Sequence, residues 1–278
     1  DAEHPKYPRQ PGKVTDRASM RRLIDGYDTG IRYVDDYIGQ IIERLKSAGV
    51  YDDTVIIVSA DHGENYGELG IYAEHATADD GTCHVPFLIK WPGRPGGKVD
   101  EQLHYHLDLA PTLMDLLGGQ KQPIWDGQSF AGVISRGEPA GRDEVVLGQC
   151  CHVCQRSVRW GDWLYILTYH CGCHLFPDEM LFNLKNDPHE QNDVSQSHPD
   201  VVGEGAKRLA AWHEAQMKKV AQTYRHDPVD PMQTVLAEGG PFHAGMRPEY
   251  NPLPKYLERL EATGRADGAA ALRKKYRV

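Results

Sequence analysis

Apolar residues with helical spacing mark the first part of the chain. Between residues 15 and 48 they recur every three or four positions, beginning at Met20. This period places them on one face of a helix, and Thr15 or Asp16 is suited to cap its first turn. Gly49 is typical of the residue that follows a helix end. The pattern therefore predicts a long amphipathic helix with one buried stripe.

Short apolar runs follow the helix. Thr54–Ser59 is rich in Val and Ile, and Val85–Trp91 is a second run of this kind. Their length and β-branching predict strands, the first of them buried on both faces of a parallel sheet. A third short strand is predicted over Leu103–Leu107, before a helix with Pro111 in its first turn and Gly118 at its end. Alternation of helix and strand with short connections is typical of an α/β fold.

The pattern changes from Glu144 onward. Three short β-like runs, EVVLGQC, SVRWGDWLYILTYH and MLFNL, follow one another with no long helix between them. They predict an antiparallel sheet whose hairpin turn lies at Trp160–Trp163. An amphipathic helix is predicted over Pro199–Gln222, and a last helix from about Lys255.

These elements define the expected architecture. Residues 1–140 predict an α/β domain with a mostly parallel sheet sandwiched by helices. Residues 141–278 predict a smaller α+β subdomain with an antiparallel sheet. The chain, with 278 residues of which 40% are hydrophobic, is long enough for one sizeable core or two small ones.

Ionisable residues cluster directly after the first predicted strand. Asp61, His62 and Glu64 follow it, and in open α/β sheets ligands bind beyond the carboxyl ends of strands. Carboxylate and neutral imidazole are donors to divalent metals. The alternative is an ordinary turn in which Asp61 caps backbone N–H groups. The loop beyond carries further ionisable residues, namely Glu74, His75, Asp79, Asp80 and His84.

Charge and hydropathy narrow the classes of partner. The chain has 31 basic and 40 acidic residues, a formal net charge of −9. An acidic surface argues against nucleic-acid binding, which needs a basic stripe. No apolar run approaches the length of a membrane span. We therefore expect neither nucleic acid nor a membrane as partner, whereas an anionic substrate is compatible with a local metal.

The cysteines allow two interpretations. Cys151-x-x-Cys154 and Cys171-x-Cys173, with histidines between them, have the residue types of a zinc site. However, adjacent residues in a strand point to opposite faces, so Cys-x-Cys suits tetrahedral coordination less well. Reduced thiols on paired strands of a cytosolic protein are the other interpretation, and we favour it.

Six stretches of the sequence are informative when taken in order: Val55–Glu64 with its Asp-His-Gly-Glu, His84–Gly93, Leu107–Gly118, Asp126–Phe130, Ser157–Ile166 and Met180–Val194. Together they resemble the sulfatase branch of the alkaline phosphatase superfamily, and the likeness extends from the first helix to about residue 200. Each stretch is weak evidence alone, whereas six in the family's order are specific.

The resemblance implies a chemistry and assigns residues to it. In such enzymes a Cys or Ser in Cys/Ser-x-Pro-x-Arg becomes formylglycine, whose hydrate attacks a sulfate ester beside a divalent metal. Calcium is the usual metal, with Mn²⁺ or Zn²⁺ as the other candidates. Asp61 and His62 match metal-ligand positions. His75 stands where many members have a catalytic Lys that contacts sulfate, and His84 stands where others have Arg. His75 is thus expected to act in catalysis and, with His84, to bind substrate.

The sequence lacks two motifs that the resemblance leads one to expect. No Cys-x-Pro-x-Arg or Ser-x-Pro-x-Arg occurs in the sequence, and the aspartate pair of the family's first strand is also absent. We therefore expect the C-terminal part of a sulfatase, with formylglycine supplied by a missing N-terminal part. That part, or self-association, would cover apolar faces of this chain. The substrate would be a sulfated small molecule or glycan.

Two other functions remain open at this point. A phosphonate or phosphodiester monoesterase of the same superfamily needs the same metal and anion pocket. A non-catalytic remnant that binds a partner or a sulfated glycan needs neither nucleophile nor metal.

Overall fold

A computed structural model describes residues 14–94, 96–224, 229–241 and 253–278. The chain divides into two compact units. The first comprises residues 1–75 and 85–99, and the second comprises residues 76–84 and 100–278. The predicted boundary between residues 140 and 141 differs from this division and stays a prediction.

The long helix of the first unit is confirmed. Helix α1 spans Arg17–Ser47 and has Asp16 as its N-cap. The Asp16 carboxylate accepts the Ser19 N–H at 2.7 Å, and the Asp16 N–H donates to Ser19 Oγ at 3.1 Å. This reciprocal capping box satisfies backbone groups that the first turn leaves without helical partners.

The predicted buried stripe along α1 is wrong for this structure. Only Ser19 and Leu23 of the helix are buried. In the first half of α1, the ring centroid of Tyr27 lies 4.9 Å from that of Tyr66. Most of the apolar face is exposed, because the remaining elements of the first unit are two-stranded ladders too small to cover a helix of this length. The exposed large residues on α1 are Ile24, Tyr27, Ile31, Tyr33, Val34, Tyr37 and Ile41.

The first two predicted strands are present but pair with each other. Strand β1 (Ile56–Ser59) runs antiparallel to the strand formed by Phe87–Lys90 in the register Ser59↔Phe87. The predicted burial of β1 on both faces is wrong, because its residues are half-buried or exposed. A two-stranded ladder without further neighbours in the described residues cannot enclose both faces.

A second small ladder lies between these strands in the sequence. Strand β2 (Asn65–Tyr66) pairs with β3 (Tyr72–Glu74), and the single helical turn α2 (Asp80–Cys83) follows. The strand at Phe87–Lys90 is therefore β4. Its Lys90 ammonium donates to the Tyr51 and Thr54 carbonyls at 2.6 and 3.0 Å, which holds the chain where it enters β1.

The second unit contains the predicted antiparallel sheet. Its four strands lie in sequence order, and consecutive strands pair antiparallel. The hairpin between the two central strands turns at Gly161, whose φ of 50° is left-handed and suits a residue without Cβ. The strands are β5 (Glu144–Gln149), β6 (Cys154–Trp160), β7 (Trp163–His170) and β8 (Glu179–Asn183).

The core of this unit forms between the sheet and helix α5 (Pro199–Tyr224). Gly205 of α5 lies directly on Tyr165, and a Cβ at this position would lie 2.6 Å from the Tyr165 ring. This glycine permits the close approach of helix and sheet. The buried core residues are Val146, Val158, Trp160, Tyr165, Leu181 and Leu209.

The segment Ala76–His84 lies on the same sheet. The Gln155 side chain accepts the Ala78 N–H at 3.2 Å, and Ser157 Oγ donates to the Ala78 carbonyl at 2.5 Å. Arg159 donates to Asp80 at 2.5 Å. Three side chains of β6 therefore fix a segment about 80 positions earlier in the sequence.

The third predicted strand, Leu103–Leu107, is wrong. Leu103 forms an isolated bridge with Arg142, and His106–Asp108 is a 3₁₀ turn. The buried Asp108 carboxylate accepts the Tyr105 N–H at 2.8 Å and also bonds Arg142, which draws the chain into a turn instead of an extended strand. Helix α3 (Leu109–Leu117) follows, and it ends at Gly118 as predicted.

The remaining helices include the C-terminal pair. The predicted last helix is in fact two, α7 (Leu253–Ala262) and α8 (Ala266–Tyr276), because the chain turns at Gly264 with a φ of 73°. The two pack through a core that includes Leu257 and Leu272. The shorter helices are α4 (Ala131–Arg136) and α6 (Pro231–Ala237).

The described strands do not form the predicted mostly parallel sheet. Every strand pair among residues 14–94, 96–224, 229–241 and 253–278 is antiparallel. A parallel neighbour of β1 would need further strands, since β4 already occupies one edge. In the described part of the chain, no helix has both the length and the apolarity needed to cross a membrane.

Candidate metal and catalytic site

The β2–β3 ladder brings the motif after β1 next to His75. Asn65 pairs with Glu74 across the ladder, so Glu64 and His75, which flank this pair, become neighbours. The connecting turn depends on Gly67, whose φ of 124° is a conformation that side chains rarely adopt. Local sequence thus places two ionisable residues, eleven positions apart in the sequence, next to each other at one end of the ladder.

The imidazoles of His62 and His75 stack. Their ring centroids lie 3.7 Å apart with an interplanar angle of 21°. His62 Nδ1 lies 2.8 Å from the Gly63 carbonyl oxygen. Because a carbonyl oxygen only accepts, Nδ1 carries the proton and the Nε2 of a neutral His62 presents its lone pair. This tautomer is the one that binds a metal through Nε2.

Asp61 is an exposed carboxylate beside this pair. Its side chain is 89% exposed, and its Oδ2 lies 3.7 Å from His62 Nε2. Backbone N–H groups of Asp61 and His62 lower the pKa of the Asp61 carboxyl, and the charges of both imidazoles lower it further. The group is therefore ionised at neutral pH and available as an oxygen donor.

Glu64 completes a three-residue cluster. The potential ligand atoms of His62, Glu64 and His75 all lie within 4.8 Å of one another. Burial raises the pKa of the half-buried Glu64 carboxyl, while the charges of His75 and His62 oppose that rise. Two imidazoles and one carboxylate at this separation have the donor types of a divalent-metal site.

His84 belongs to the second unit, and its contacts are different. Its Nδ1 lies 3.2 Å from Asp80 Oδ2, and its side chain is 66% exposed. The hydrogen bond to Asp80 raises the pKa of His84. Burial favours the neutral form of Asp80, but His84 and Arg159 outweigh it and lower the pKa of Asp80. The predicted substrate contact of His84 stays a prediction.

The six cysteines do not take part in a cluster of possible metal ligands in the described part of the chain. All six are free thiols, and Cys154 and Cys171 are buried. Burial raises the pKa of the Cys154 thiol to about 12, so it is protonated at neutral pH. In the described parts of the chain, the groups of three or more side chains placed to hold a metal include no cysteine. The interpretation as reduced thiols stays a prediction.

The structure brings together three of the four predicted site residues, Asp61, His62 and His75, and adds Glu64. The sequence named Glu64 as part of the Asp-His-Gly-Glu motif without assigning it a role. Its position beside both imidazoles depends on the pairing of Asn65 with Glu74, which two strands as short as β2 and β3 do not reveal from their residue pattern.

Comparison with solved structures identifies the class of fold to which the chain belongs. The chain superposes on a 2-O GAG sulfatase with a TM-score of 0.63 and 22% identity, covering 84% of this chain and 51% of that one. It also superposes on the phosphonate monoester hydrolase of Agrobacterium radiobacter with a TM-score of 0.57 and 27% identity, covering 66% and 40%. The chain therefore has the α/β fold of alkaline phosphatase-like hydrolases.

The family follows from sequence. Residues 1–119 match the Sulfatase family model. The choline-sulfatase of Rhizobium meliloti (strain 1021) is 31% identical over 190 residues, which are 64% of this chain and 34% of that protein. Residues 1–119 therefore carry the sequence pattern of the sulfatase family, and the resemblance read from the six stretches is confirmed. The chain spans about a third to a half of the length of three curated relatives that it matches and a smaller share of others.

Proposed function

We propose that this chain forms part of a metal-dependent sulfuric ester hydrolase. The observation that carries the proposal is the cluster of His62, Glu64 and His75, with Asp61 beside it, directly after β1. An anionic ester needs a site that neutralises charge on the transferring group. A metal with carboxylate and imidazole ligands supplies such a site in a chain whose net charge is −9.

The residues present fit a divalent metal in chemistry. Asp61 and His62 are the proposed ligands, with Glu64 within reach of the same position. When bound, the metal would act as a Lewis acid toward the sulfate oxygens. Calcium prefers six to eight oxygen ligands, whereas imidazole suits Mn²⁺ or Zn²⁺ better. These residues therefore supply part of a calcium shell, and the rest would come from outside this sequence.

His75 is the proposed catalytic residue. Its imidazole can stabilise negative charge on the sulfate when protonated, and it can donate a proton to the departing ester oxygen. Stacking on His62 fixes the plane of its ring. His84 is proposed to assist in substrate binding. The nucleophile, expected to be formylglycine, would be supplied by a segment that carries Cys/Ser-x-Pro-x-Arg, since this sequence contains no such motif.

The substrate class that we propose is a sulfated saccharide. A relative of similar fold bears the name 2-O GAG sulfatase, and other relatives are named ulvan-active sulfatases, which favours a saccharide sulfate. A phosphonate or phosphodiester substrate is the second candidate. It is favoured by the likeness to a phosphonate monoester hydrolase at 27% identity.

The experiment co-expresses this chain with the segment encoded immediately upstream and assays the complex on two esters. We expect turnover of 4-nitrophenyl sulfate to exceed that of phenyl 4-nitrophenylphosphonate. The reverse order would favour the second candidate. No turnover of either ester, with the motif cysteine or serine converted to formylglycine, would contradict the proposal and favour a non-catalytic remnant.

The chain alone should bind calcium weakly or not at all. Two to four donors fall short of the shell that calcium prefers, so we expect a Kd above about 1 mM. Isothermal titration calorimetry measures it, with Asp61→Ala as the test variant and the exposed Asp53→Ala as the matched control. Tight binding that Asp61→Ala abolishes and Asp53→Ala retains would show that this chain carries a complete site.

In the complete enzyme, His75→Ala should lower kcat. A general acid contributes about 10²–10⁴-fold, so the loss should fall in this range for a poor leaving group. Aryl sulfates with better leaving groups should be affected less, because their oxygen needs less protonation. A kcat unchanged across such a series would contradict the proposed role. His198→Ala, at an exposed histidine of the second unit, is the matched control.

We also propose that a companion segment, or a second copy of the chain, covers the apolar face of α1. The support is its exposure: Ile31 is 54% and Ile41 is 62% exposed. Contiguous apolar faces of this kind usually mark interaction surfaces. The missing N-terminal half of the predicted enzyme is the first candidate for this companion.

A further inference from the structure

A cleft in the second unit has no role in the chemistry proposed above. It lies between the end of β7, the loop that follows it and the last turn of α8, and its volume is about 660 Å³. Cavities of about 300–1,000 Å³ are typical of small-molecule sites. We call it the C-terminal cleft, and its lining includes Tyr169, His170, Phe176, Lys274 and Lys275.

The cleft is cationic in an acidic protein. Lys274 and Lys275 lie in its lining, and Asp178 is the one acidic residue of that lining within the described chain. In the described residues neither lysine forms an ion pair with a carboxylate. Lys275 Nζ lies 3.5 Å from the His174 carbonyl oxygen, a contact at the limit of a hydrogen bond. The neighbouring Arg273, by contrast, is paired with Glu261 at 2.7 Å.

An anion would satisfy these two ammonium groups. Partial desolvation lowers the pKa of Lys275, so its charge is held in the cleft at a free-energy cost. A bound anion offsets such a cost through charge-assisted hydrogen bonds. The lysines lie at the C-terminal end of α8, where the helix dipole stabilises them but supplies no discrete anionic partner.

Aromatic rings, among them those of Phe176, His170 and Tyr276, form part of the remaining wall. The Phe176 and His174 rings stack with centroids 5.1 Å apart, and the Tyr276 and His170 rings lie 6.0 Å apart at 25°. His170 Nδ1 accepts the Gly172 N–H at 3.0 Å, and burial together with the charge of Lys275 lowers the pKa of His170. Its imidazole is therefore neutral at pH 7. The wall presents apolar ring surface beside two cations.

We propose that the C-terminal cleft binds a sulfated saccharide, with Lys274 and Lys275 on the sulfate and Phe176 packed against the apolar face of the sugar ring. Aromatic rings bury a large area on such faces at little entropic cost. The choice of a saccharide sulfate rests on the proposed function. The inference extends it, because this site is built wholly from the second unit and needs neither metal nor nucleophile.

The test titrates glucosamine 6-sulfate into the 278-residue chain in EDTA and follows amide chemical shifts by NMR. Glucosamine and inorganic sulfate are the comparison ligands. We expect saturable binding of glucosamine 6-sulfate with a Kd on the order of 1 mM, and about tenfold weaker binding of each comparison ligand. EDTA removes divalent metal, so binding measured in its presence does not depend on the proposed metal site. If the complete enzyme had no turnover, this binding would still be expected, and the two proposals can therefore fail separately.

Two variants assign the contacts. The double variant Lys274→Ala and Lys275→Ala should weaken binding of both glucosamine 6-sulfate and inorganic sulfate by about tenfold or more. Phe176→Ala should weaken binding of the sugar sulfate and leave inorganic sulfate unchanged. Lys185→Ala, an exposed lysine after β8, is the matched control and should change neither.

Three results would overturn the proposal. One is equal affinity for inorganic sulfate and glucosamine 6-sulfate, which would reduce the cleft to an anion site. Another is unchanged affinity in the double lysine variant, verified as folded by circular dichroism. The third is the absence of any shift among cleft residues at 20 mM glucosamine 6-sulfate, about twentyfold above the expected Kd.

Discussion

The purified 278-residue chain should show no sulfatase turnover when assayed alone. In enzymes where several groups act as a unit, loss of the nucleophile removes nearly all of the chemical acceleration, on the order of 10⁶-fold in kcat. No Cys/Ser-x-Pro-x-Arg is present to form that nucleophile. Hydrolysis of 4-nitrocatechol sulfate, measured with Ca²⁺, Mn²⁺ or Zn²⁺ added in turn, should equal the rate without protein.

The control for this prediction is the co-expressed complex described above, assayed under the same conditions. Size-exclusion chromatography with light scattering would establish whether the chain assayed is a monomer. Turnover by the monomeric chain that His75→Ala abolishes would contradict the prediction, because it would place a complete catalytic unit within these residues.

The second large effect concerns stability, at a buried ion pair of the second unit. Arg156 Nη2 donates to Asp230 Oδ1 at 2.5 Å, and their side chains are only 10% and 5% exposed. The other Asp230 oxygen accepts from His213 Nε2 at 3.0 Å, and the Met232 N–H donates to Oδ1 at 2.9 Å. The pair joins strand β6 to the start of α6 across α5.

Asp230→Ala should lower the free energy of unfolding by about 3–5 kcal/mol, because it leaves the Arg156 guanidinium buried without its partner. Urea denaturation followed by circular dichroism measures the change. Asp126→Ala is the matched control: its ion pair with Lys219 is 56% and 39% exposed, and such pairs contribute about 0–1 kcal/mol. Equal losses in the two variants would contradict the assignment.

The same pair predicts a pH dependence. Burial favours neutral Asp230, but the hydrogen bond and charge of Arg156 outweigh it and lower the pKa of Asp230. A carboxyl whose pKa is depressed on folding contributes stability above the unfolded value of about 3.9. That contribution is lost as the pH falls through the lower folded value. Wild-type stability should therefore fall more steeply below about pH 4 than that of Asp230→Ala.

Local signals predicted much of the fold, and tertiary contacts decided the rest. Helix α1 begins at the predicted cap and α5 at the predicted Pro199, because capping and periodicity are local properties. The antiparallel β5–β8 sheet follows from alternation and from a hairpin turn. Leu103–Leu107 has an alternating pattern as well, but Asp108 draws its backbone into a turn. That contact involves Arg142, which lies 34 positions away.

In the candidate site, too, some residues could be predicted from the sequence and others only from tertiary contacts. Asp61 and His62 were identified because they match metal-ligand positions of a family motif, and His75 because it stands where many members have a Lys. Glu64 needed the pairing of β2 with β3, a ladder of two and three residues that no periodicity reveals. The exposure of α1 was also beyond prediction: an apolar stripe indicates that a face needs covering, but it does not say which residues will cover it.

The stack of His62 on His75 has a consequence for metal capture. Nitrogen lone pairs lie in the plane of an imidazole, so two nearly parallel rings 3.7 Å apart cannot both direct a nitrogen toward one ion. The ligand set proposed above uses the imidazole of His62 alone, so the stack can stay intact when an ion binds. Coordination by both imidazoles would require one ring to rotate out of the stack, and the apparent affinity would then be the intrinsic affinity multiplied by the fraction of molecules already unstacked. The stack therefore favours a division of roles in which His62 binds the metal and His75 acts on the substrate.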